Sequence, residues 1–318
     1  MKGLLKLAFG AAALAAAALS GEPASAQNWP TQRVTVVVPF GAGSVTDILA
    51  RIFADEMGKK WNQQVIVENR PGLAGTGGVA KSAPDGYTLM VTSNGHTVAG
   101  LVSKNATFDP VKDFSGITRL GSAPLFLITN PGVPAKTLKE VIELAKKEPG
   151  KLNFSSPGLA STTFIAGAQF RKAAGINIVH VPFRSAPDAV TAVIRGDAQM
   201  YFAPVNLARD QSQAGKVNAI AAATAKRIPE LPNVPTFTEA GLPFVYDSWF
   251  GLMAPAGVPK PVLAKIAKDW GDALKTPEMQ AKIKAQFLIG VSDTPEQMDK
   301  IVASETAALT QVFKEAGL

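Results

Sequence analysis

The sequence predicts an α/β protein with parallel-rich open sheets, helices on both faces and two lobes, and three observations predict it. Short apolar runs rich in Val, Ile and Ala alternate with helical patterns along most of the chain. The turns that follow several of these runs are rich in Gly, Ser, Thr or Asn. Beyond the prolines at Pro229, Pro232, Pro235 and Pro243, the chain reads as one extended segment and three amphipathic helices.

In order, 34–38 reads as a strand and 45–60 as a helix. A strand at 64–68 leads through a Gly-rich turn to a short helix around 77–82, and 88–91 is a strand ending in a polar turn. A strand at 126–129 precedes a helix at 138–147, whose Leu138, Val141, Ile142 and Ala145 recur at helical spacing. Strands at 152–155, 178–181, 200–203 and 219–223 stand between helices. Residues 248–254 are extended, and helices at 259–275, 278–286 and 295–313 follow, placed to return over the first lobe.

The first residues read as a leader. Lys2 and Lys6 form a basic start, 7–19 is an Ala-rich apolar run, and Ala24-Ser25-Ala26 has the form of a signal-peptidase site. The expected signal peptide is 1–26, and the alternative is a retained anchor. The apolar run is shorter than the roughly 20 residues a span requires. An exported chain with no cysteine points to a bacterial periplasm or cell surface and removes disulfides and thiolate chemistry. The two histidines, His96 and His180, make a His-rich metal site or a two-histidine mechanism improbable. At 318 residues the chain is long enough for two lobes of roughly 100–150 residues.

The net charge of +7 reads either as a field favouring anionic ligands or as an ordinary solvated surface. The basic residues are scattered, without a dense patch of interleaved aromatics, so no nucleic-acid partner is expected.

Open α/β sheets bind ligands at the carboxyl ends of their strands. The turns in that position are 39–47, 92–97, 155–163 and 182–186, with 203–206 a fifth. In the first, Gly41-Ala42-Gly43-Ser44-Val45-Thr46 lacks the third Gly or Ala of a dinucleotide loop and carries no lysine. Ser44 is placed to cap the helix, with Asp47 at capping-box spacing. Such a turn aims backbone N–H groups and the positive helix end at one point, which suits a carboxylate. The competing reading is an ordinary helix entry.

The second Gly-rich stretch, 72–78, begins too far past its strand for a Rossmann turn and lacks a P-loop lysine. His96 reads as a ligand contact or as a satisfied surface histidine, and alternation in 178–182 gives His180 a structural role. Asp47 and Asp188 read as first-turn capping residues rather than an acid–base pair. Trp249 and Phe250 line a cleft, or pack a hinge or the core. No Gly-x-Ser-x-Gly elbow occurs.

The chain also resembles a known family. The motifs are Val38-Pro39-Phe40-Gly41-Ala42-Gly43-Ser44-Val45-Thr46-Asp47, Glu68-Asn69-Arg70-Pro71-Gly72, the runs at 83–89, 109–114 and 150–153, Val179-His180-Val181-Pro182, and the runs at 231–236 and 248–252. Their joint order resembles the substrate-binding proteins of the tripartite tricarboxylate transporter family, the Bug receptors, over the whole mature chain. The resemblance implies a bilobal periplasmic-binding-protein fold of type II kind, with two open sheets flanked by helices and joined by a hinge. Lobe 1 would be 27–124 plus 248–318, and lobe 2 would be 125–247.

It further implies a non-catalytic, monomeric periplasmic receptor that closes on a small organic carboxylate and delivers it to integral membrane permease subunits. No cofactor and no metal are implied. Phe40, Gly41, Ala42, Gly43, Ser44, Thr46 and Asp47 would face Ser156, Gly158, Ala160, Ser161 and Thr162 across one carboxyl group. Ser93, Asn94, His96, Phe183, Arg184, Ala203 and Asn206 would read the rest of the ligand, either a di- or tricarboxylate or an aromatic acid.

Three departures bear on ligand identity. Ala42-Gly43-Ser44 stands where Pro-Gly-Gly is common, Phe164 stands where a histidine is common, and Phe183-Arg184-Ser185 replaces Tyr-Lys-Gly. Phe183 thereby lacks a hydroxyl, while Arg184 brings a forked donor set. The rival expectations are a sensory ligand-binding module and an exported hydrolase of carboxylate derivatives. The hydrolase would need a nucleophile or metal that the sequence does not display.

Overall fold

The computed structural model describes residues 28–103, 105–183 and 185–315. The expected leader at 1–26 and the candidate Arg184 lie outside the described residues. The chain forms an α/β fold of two lobes, each built on a five-stranded sheet with helices packed on it. No helix among the described residues is long and apolar enough to cross a membrane.

The first sheet has β1 (Val34–Val38) between β2 (Val65–Asn69) and β3 (Thr88–Ser93), all parallel. Next to β3 lies β10 (Ser248–Pro255), and then β4 (Phe114–Ala123); β10 runs antiparallel to both. The second sheet has β6 (Asn153–Ser156) between β7 (Val179–Pro182) and β8 (Met200–Pro204), again parallel. Beyond β8 come β5 (Leu125–Thr129) and β9 (Asn218–Ala222), with β5 antiparallel to both neighbours. The sheets are therefore mixed rather than simply parallel-rich. The antiparallel members are β5 and β10, the strands next to the two crossings between sheets.

Alternation along each strand sorts side chains to two faces. Val34, Val36 and Val38 of β1 join Leu49, Phe53 and Met57 of α1 (Val45–Trp61), Ile266 and Trp270 of α8 (Lys260–Leu274) and Met279 and Ile283 of α9 (Pro277–Ala285) in one core. Val37 faces the other way, toward Met90, Trp249 and Met253. In the second sheet Leu125 and Leu127 point to one core while Phe126 and Ile128 point to the other. Trp249 and Phe250 are both buried in lobe 1 cores, one on each sheet face.

Capping residues set the helix starts. Thr137 and Glu140 form a complete capping box on α4 (Leu138–Lys147). Ser161 caps α5 (Thr162–Ala174), and Ser185 caps α6 (Ala186–Arg195), with Pro187 in its first turn. The remaining helices are α2 (Leu73–Ala80), α3 (Ala99–Val102), α7 (Val205–Gln213) and α10 (Pro295–Glu315). A short 3-10 helix, Asn94–Val98, leads into α3.

Two crossings join the sheets. Only Pro124 separates β4 from β5, and the return runs through Tyr246 and Asp247 into β10. Arg119 of β4 clamps this region. It donates to Asp247, and its Nε and Nη2 reach Asp293 at 2.6 and 3.0 Å. The crossings divide the strands into lobe 1, with β1–β4 and β10, and lobe 2, with β5–β9. Helix α10 packs on both cores: Met298 and Val302 join lobe 1, and Leu309, Val312 and Phe313 join lobe 2. Its tail thus does more than cover the first lobe.

Candidate functional site

In each sheet the central parallel strand, β1 or β6, ends between two neighbours, which is where open α/β sheets place ligands. The turn after β1 is 39–44. Gly41, Ala42 and Gly43 are exposed, and Gly43 has φ +80°, a left-handed conformation that glycine adopts without strain. Ser44 Oγ accepts from Asp47 N–H at 3.2 Å, the expected cap. The reciprocal arm is displaced by one residue, because Asp47 Oδ2 accepts from Gly43 N–H at 2.9 Å rather than from Ser44.

Asp47 is buried, and this chain saturates its carboxylate. Arg51 donates through Nε at 3.1 Å and lies 2.9 Å away through Nη2, and Asn69 Nδ2 donates at 2.9 Å. Burial pushes the Asp47 pKa up, but the bonds from Arg51, Gly43 and Asn69 outweigh it and hold the group below the usual carboxylate value. A carboxylate offers about four acceptor sites, and four donors fill them here. Asn69 also donates to the Phe40 carbonyl at 3.2 Å, pinning the other end of the turn. The role of Asn69 was not read from the sequence, although the Glu68-Asn69-Arg70-Pro71-Gly72 motif marked its position.

The turn after β6 has the same construction. Gly158 has φ +120°. Ser161 Oγ accepts from Phe164 N–H at 3.1 Å and donates to the Gly158 carbonyl at 2.7 Å. Ser156 is buried; its hydroxyl accepts from Gly158 N–H at 3.1 Å and meets His180 Nε2 at 2.7 Å. The hydroxyls of Ser156 and Ser161, expected to serve a ligand, are therefore engaged within lobe 2. The capping bonds take the amides of Asp47 and Phe164. A helix start leaves its first amides without intrahelical partners, here those of Val45 and Thr46 on α1 and Thr162 and Thr163 on α5. Positive helix ends thus stand at both turns.

Neighbouring strand ends complete each half. Phe183 N–H donates to the Ser156 carbonyl at 2.8 Å, and Val205 N–H to the Pro124 carbonyl at 3.1 Å, which fixes the turns carrying Phe183 and Ala203–Asn206 beside β6. Phe40, Phe183 and Asn206 are half-buried, and Ala203 is buried.

The turn after β3 is the seam between lobes. Asn94 is buried, and its Nδ2 donates to Tyr246 OH at 2.5 Å, on the return crossing. Val98 packs into the lobe 2 core. Gly95 lies against the Ala160 carbonyl of the opposite lobe.

His96 is a correction: it is neither a surface residue nor turned to the cleft. It is buried against Phe108 and Phe114, at 6.2 and 4.7 Å between rings, and its Nε2–H donates to the Pro110 carbonyl at 2.9 Å. Burial lowers its pKa to about 4, so it is neutral at physiological pH. His180 is likewise lowered to about 4 by burial, beside Phe154 and Phe164.

One surface groove of about 750 Å³ is lined by Phe183 together with Asp188 and Arg195, and others lie elsewhere. One of about 860 Å³ runs between α8 and the start of α10, and one of about 380 Å³ lies behind the hinge by Pro124, Val205 and Phe287. Neither lining includes the two glycine turns. Among the described residues, no cluster of three or more His, Asp or Glu has metal-holding geometry.

A family model described as "Tripartite tricarboxylate transporter family receptor" matches residues 49–318. Protein BugT of Bordetella pertussis is 30% identical over 301 residues, covering 93% of this chain and 92% of that protein. The structure of Rpa4515 from R. palustris with adipate superposes with a TM-score of 0.75 at 28% identity, covering 91% of this chain and 98% of that one. MatC from Rhodopseudomonas palustris with bound malate gives 0.72 at 30% identity, covering 90% of this chain and 100% of that one.

Proposed function

The chain belongs to the tripartite tricarboxylate transporter receptor family, and we propose that it captures a small organic carboxylate between its lobes and delivers it to membrane permease subunits. The family is one of periplasmic solute receptors, and two structural relatives hold adipate and malate. The observation that carries the reading is a pair of serine-capped helix starts, α1 and α5, on turns of opposite lobes. Their first amides supply converging dipoles for one carboxyl group without a full opposing charge.

In this reading Gly41, Ala42, Gly43, Ser44 and Thr46 face Gly158, Ala160 and Thr162, with backbone amides as the main donors. Asp47, Ser156 and Ser161 hold the turns instead of touching the ligand, because their hydrogen-bonding groups are engaged within the chain. Phe40, Phe183, Ala203 and Asn206 flank the ligand body. The protein works as a monomeric, non-catalytic receptor, exported with cleavage after Ala26.

Calorimetric titration with malate, adipate, citrate and benzoate tests this. Saturable one-to-one binding of at least one acid, with a matching rise in melting temperature, is expected. No saturable binding across that panel would refute it, as would turnover of a bound acid derivative.

A further inference from the structure

We propose that Gly95 is the closure residue of this receptor: its missing side chain is the clearance that lets the two lobes meet, and any Cβ there holds the cleft ajar. The inference deepens the proposed function and rests on the two-lobed capture it describes.

A Cβ built on Gly95 would lie 2.3 Å from the Ala160 carbonyl oxygen and 3.4 Å from its carbon. No flexible side chain is involved on the other side; the obstacle is backbone. The glycine is not needed for its own conformation, since Gly95 is absent from the positive-φ positions. What singles it out is the approach of the opposite lobe.

Neither partner is free to yield locally. Gly95 N–H donates to Ser93 Oγ at 3.4 Å, and Thr97 Oγ1 donates to the Asn94 carbonyl at 2.7 Å. The same short helix is tied at both flanks, by Asn94 to Tyr246 and by Val98 in the lobe 2 core. Ala160 sits in the turn braced by Ser161 N–H on the Gly158 carbonyl at 3.1 Å and by Ser161 Oγ on the same oxygen at 2.7 Å. An added Cβ is relieved by parting the turns by about 1 Å, to ordinary van der Waals distance. That displacement opposes closure.

The consequence is a shift in population. A ligand that needs the closed form binds with an apparent affinity reduced by the fraction of molecules able to close. Gly95→Ala is therefore expected to weaken acid binding by about 10-fold or more. Gly100→Ala is the control, because Gly100 is a few residues on, exposed, and a Cβ there meets nothing within 4 Å.

The absence of native cysteine allows spin labels at Lys59→Cys on lobe 1 and Glu143→Cys on lobe 2, both exposed helix positions. Interlobe distances from pulsed electron resonance, with and without malate or adipate, are compared for the wild type, Gly95→Ala and Gly100→Ala. The expected result is a short-distance population that Gly95→Ala loses and Gly100→Ala keeps, with circular dichroism of folded protein in all three. If Gly95→Ala keeps the wild-type distances and affinity, the proposal is overturned. If it loses the folded spectrum, the glycine serves folding and the proposal is equally overturned. The distance readout needs no ligand, so it judges Gly95 even if the wild type binds none of the acids.

Discussion

Replacing Asp47 with alanine removes the acceptor that organises the first turn, and the cost can be worked from its partners. Four donor contacts end on this carboxylate, from Gly43, Asn69 and two nitrogens of Arg51. Arg51 has about half of its side chain exposed (53%), so water replaces much of its share, and an exposed pair is worth at most about 1 kcal/mol. The charge at the helix start adds about 0.3–1 kcal/mol. The bond to Asn69 adds about 1 kcal/mol, softened because Asn69 keeps the Phe40 carbonyl. The sum is about 2–3 kcal/mol, or roughly a 3–5 °C fall in melting temperature for a protein of this size.

Ligand affinity should fall as well, since Gly43 N–H and the Phe40 carbonyl lose their anchors. Thermal and urea melts of Asp47→Ala and the isosteric Asp47→Asn measure the first effect, and acid titration measures the second. The pH dependence has a definite sign. The folded pKa of Asp47 lies below its unfolded value, so its contribution is present above about pH 4 and is lost as the pH falls through the folded pKa. Mutant and wild type should therefore converge in stability in strong acid. A melting temperature of Asp47→Ala within about 1 °C of wild type, with binding abolished, would refute the reasoning and make Asp47 a direct ligand contact.

Burial holds His96 and His180 neutral, with pKa values near 4, so the folded state binds fewer protons than the unfolded one and stability should drop from about pH 6.5 down to about 4. A shallower drop in urea midpoint for His180→Gln checks this. Glu305 behaves oppositely: burial beside Trp249 lifts it to about 7, so its contribution is complete below about pH 4.5 and is lost as the pH rises through 7. Glu305→Gln should consequently be more stable than wild type at pH 8, by up to about 3 kcal/mol, and little different at pH 5; equal stability at both would contradict the assignment. Gly167 of α5 rides on the Phe154 ring of β6, with an added Cβ only 2.4 Å from it, so Gly167→Ala should cost about 1–3 kcal/mol by denaturant titration.

Function and stability meet on α10. Glu305 lies on this helix between the residues that enter the lobe 1 core and those that enter the lobe 2 core. Its neighbour Trp249 is the second residue of β10, just past the crossing residues Tyr246 and Asp247. The helix therefore packs on both lobes, with Glu305 between its two contact stretches.

Much of this architecture is legible in short windows of sequence, because it rests on short-range periodicity. Val34, Val36 and Val38 announce a strand face, Ser44 and Asp47 a helix start, and Leu138, Val141 and Ala145 a helix stripe. Strand β4 was not legible. Polar Ser115, Thr118, Arg119 and Ser122 interrupt it, as do Gly116 and Gly121. Thr118, Arg119 and Ser122 are used at long range, as when Thr118 Oγ1 accepts from Asp293 N–H at 2.9 Å. Short helix α2 also begins earlier than its pattern suggested, at Leu73, since its glycines carry little helical signal.

By itself the sequence determined the strands and helices that follow from alternation and caps, the glycine-serine turns at strand ends, and the family to which the chain belongs. The tertiary structure alone decided which way His96 points, that the Asp47 carboxylate is consumed by Arg51, Gly43 and Asn69, and that β5 and β10 run against their neighbours. It also brought Gly95 against Ala160 and Asn94 against Tyr246. The reason is distance along the chain. Periodicity and capping are set by residues a few positions apart, whereas these contacts join segments that meet only when two lobes pack, and no local pattern of side chains encodes where a distant backbone will lie.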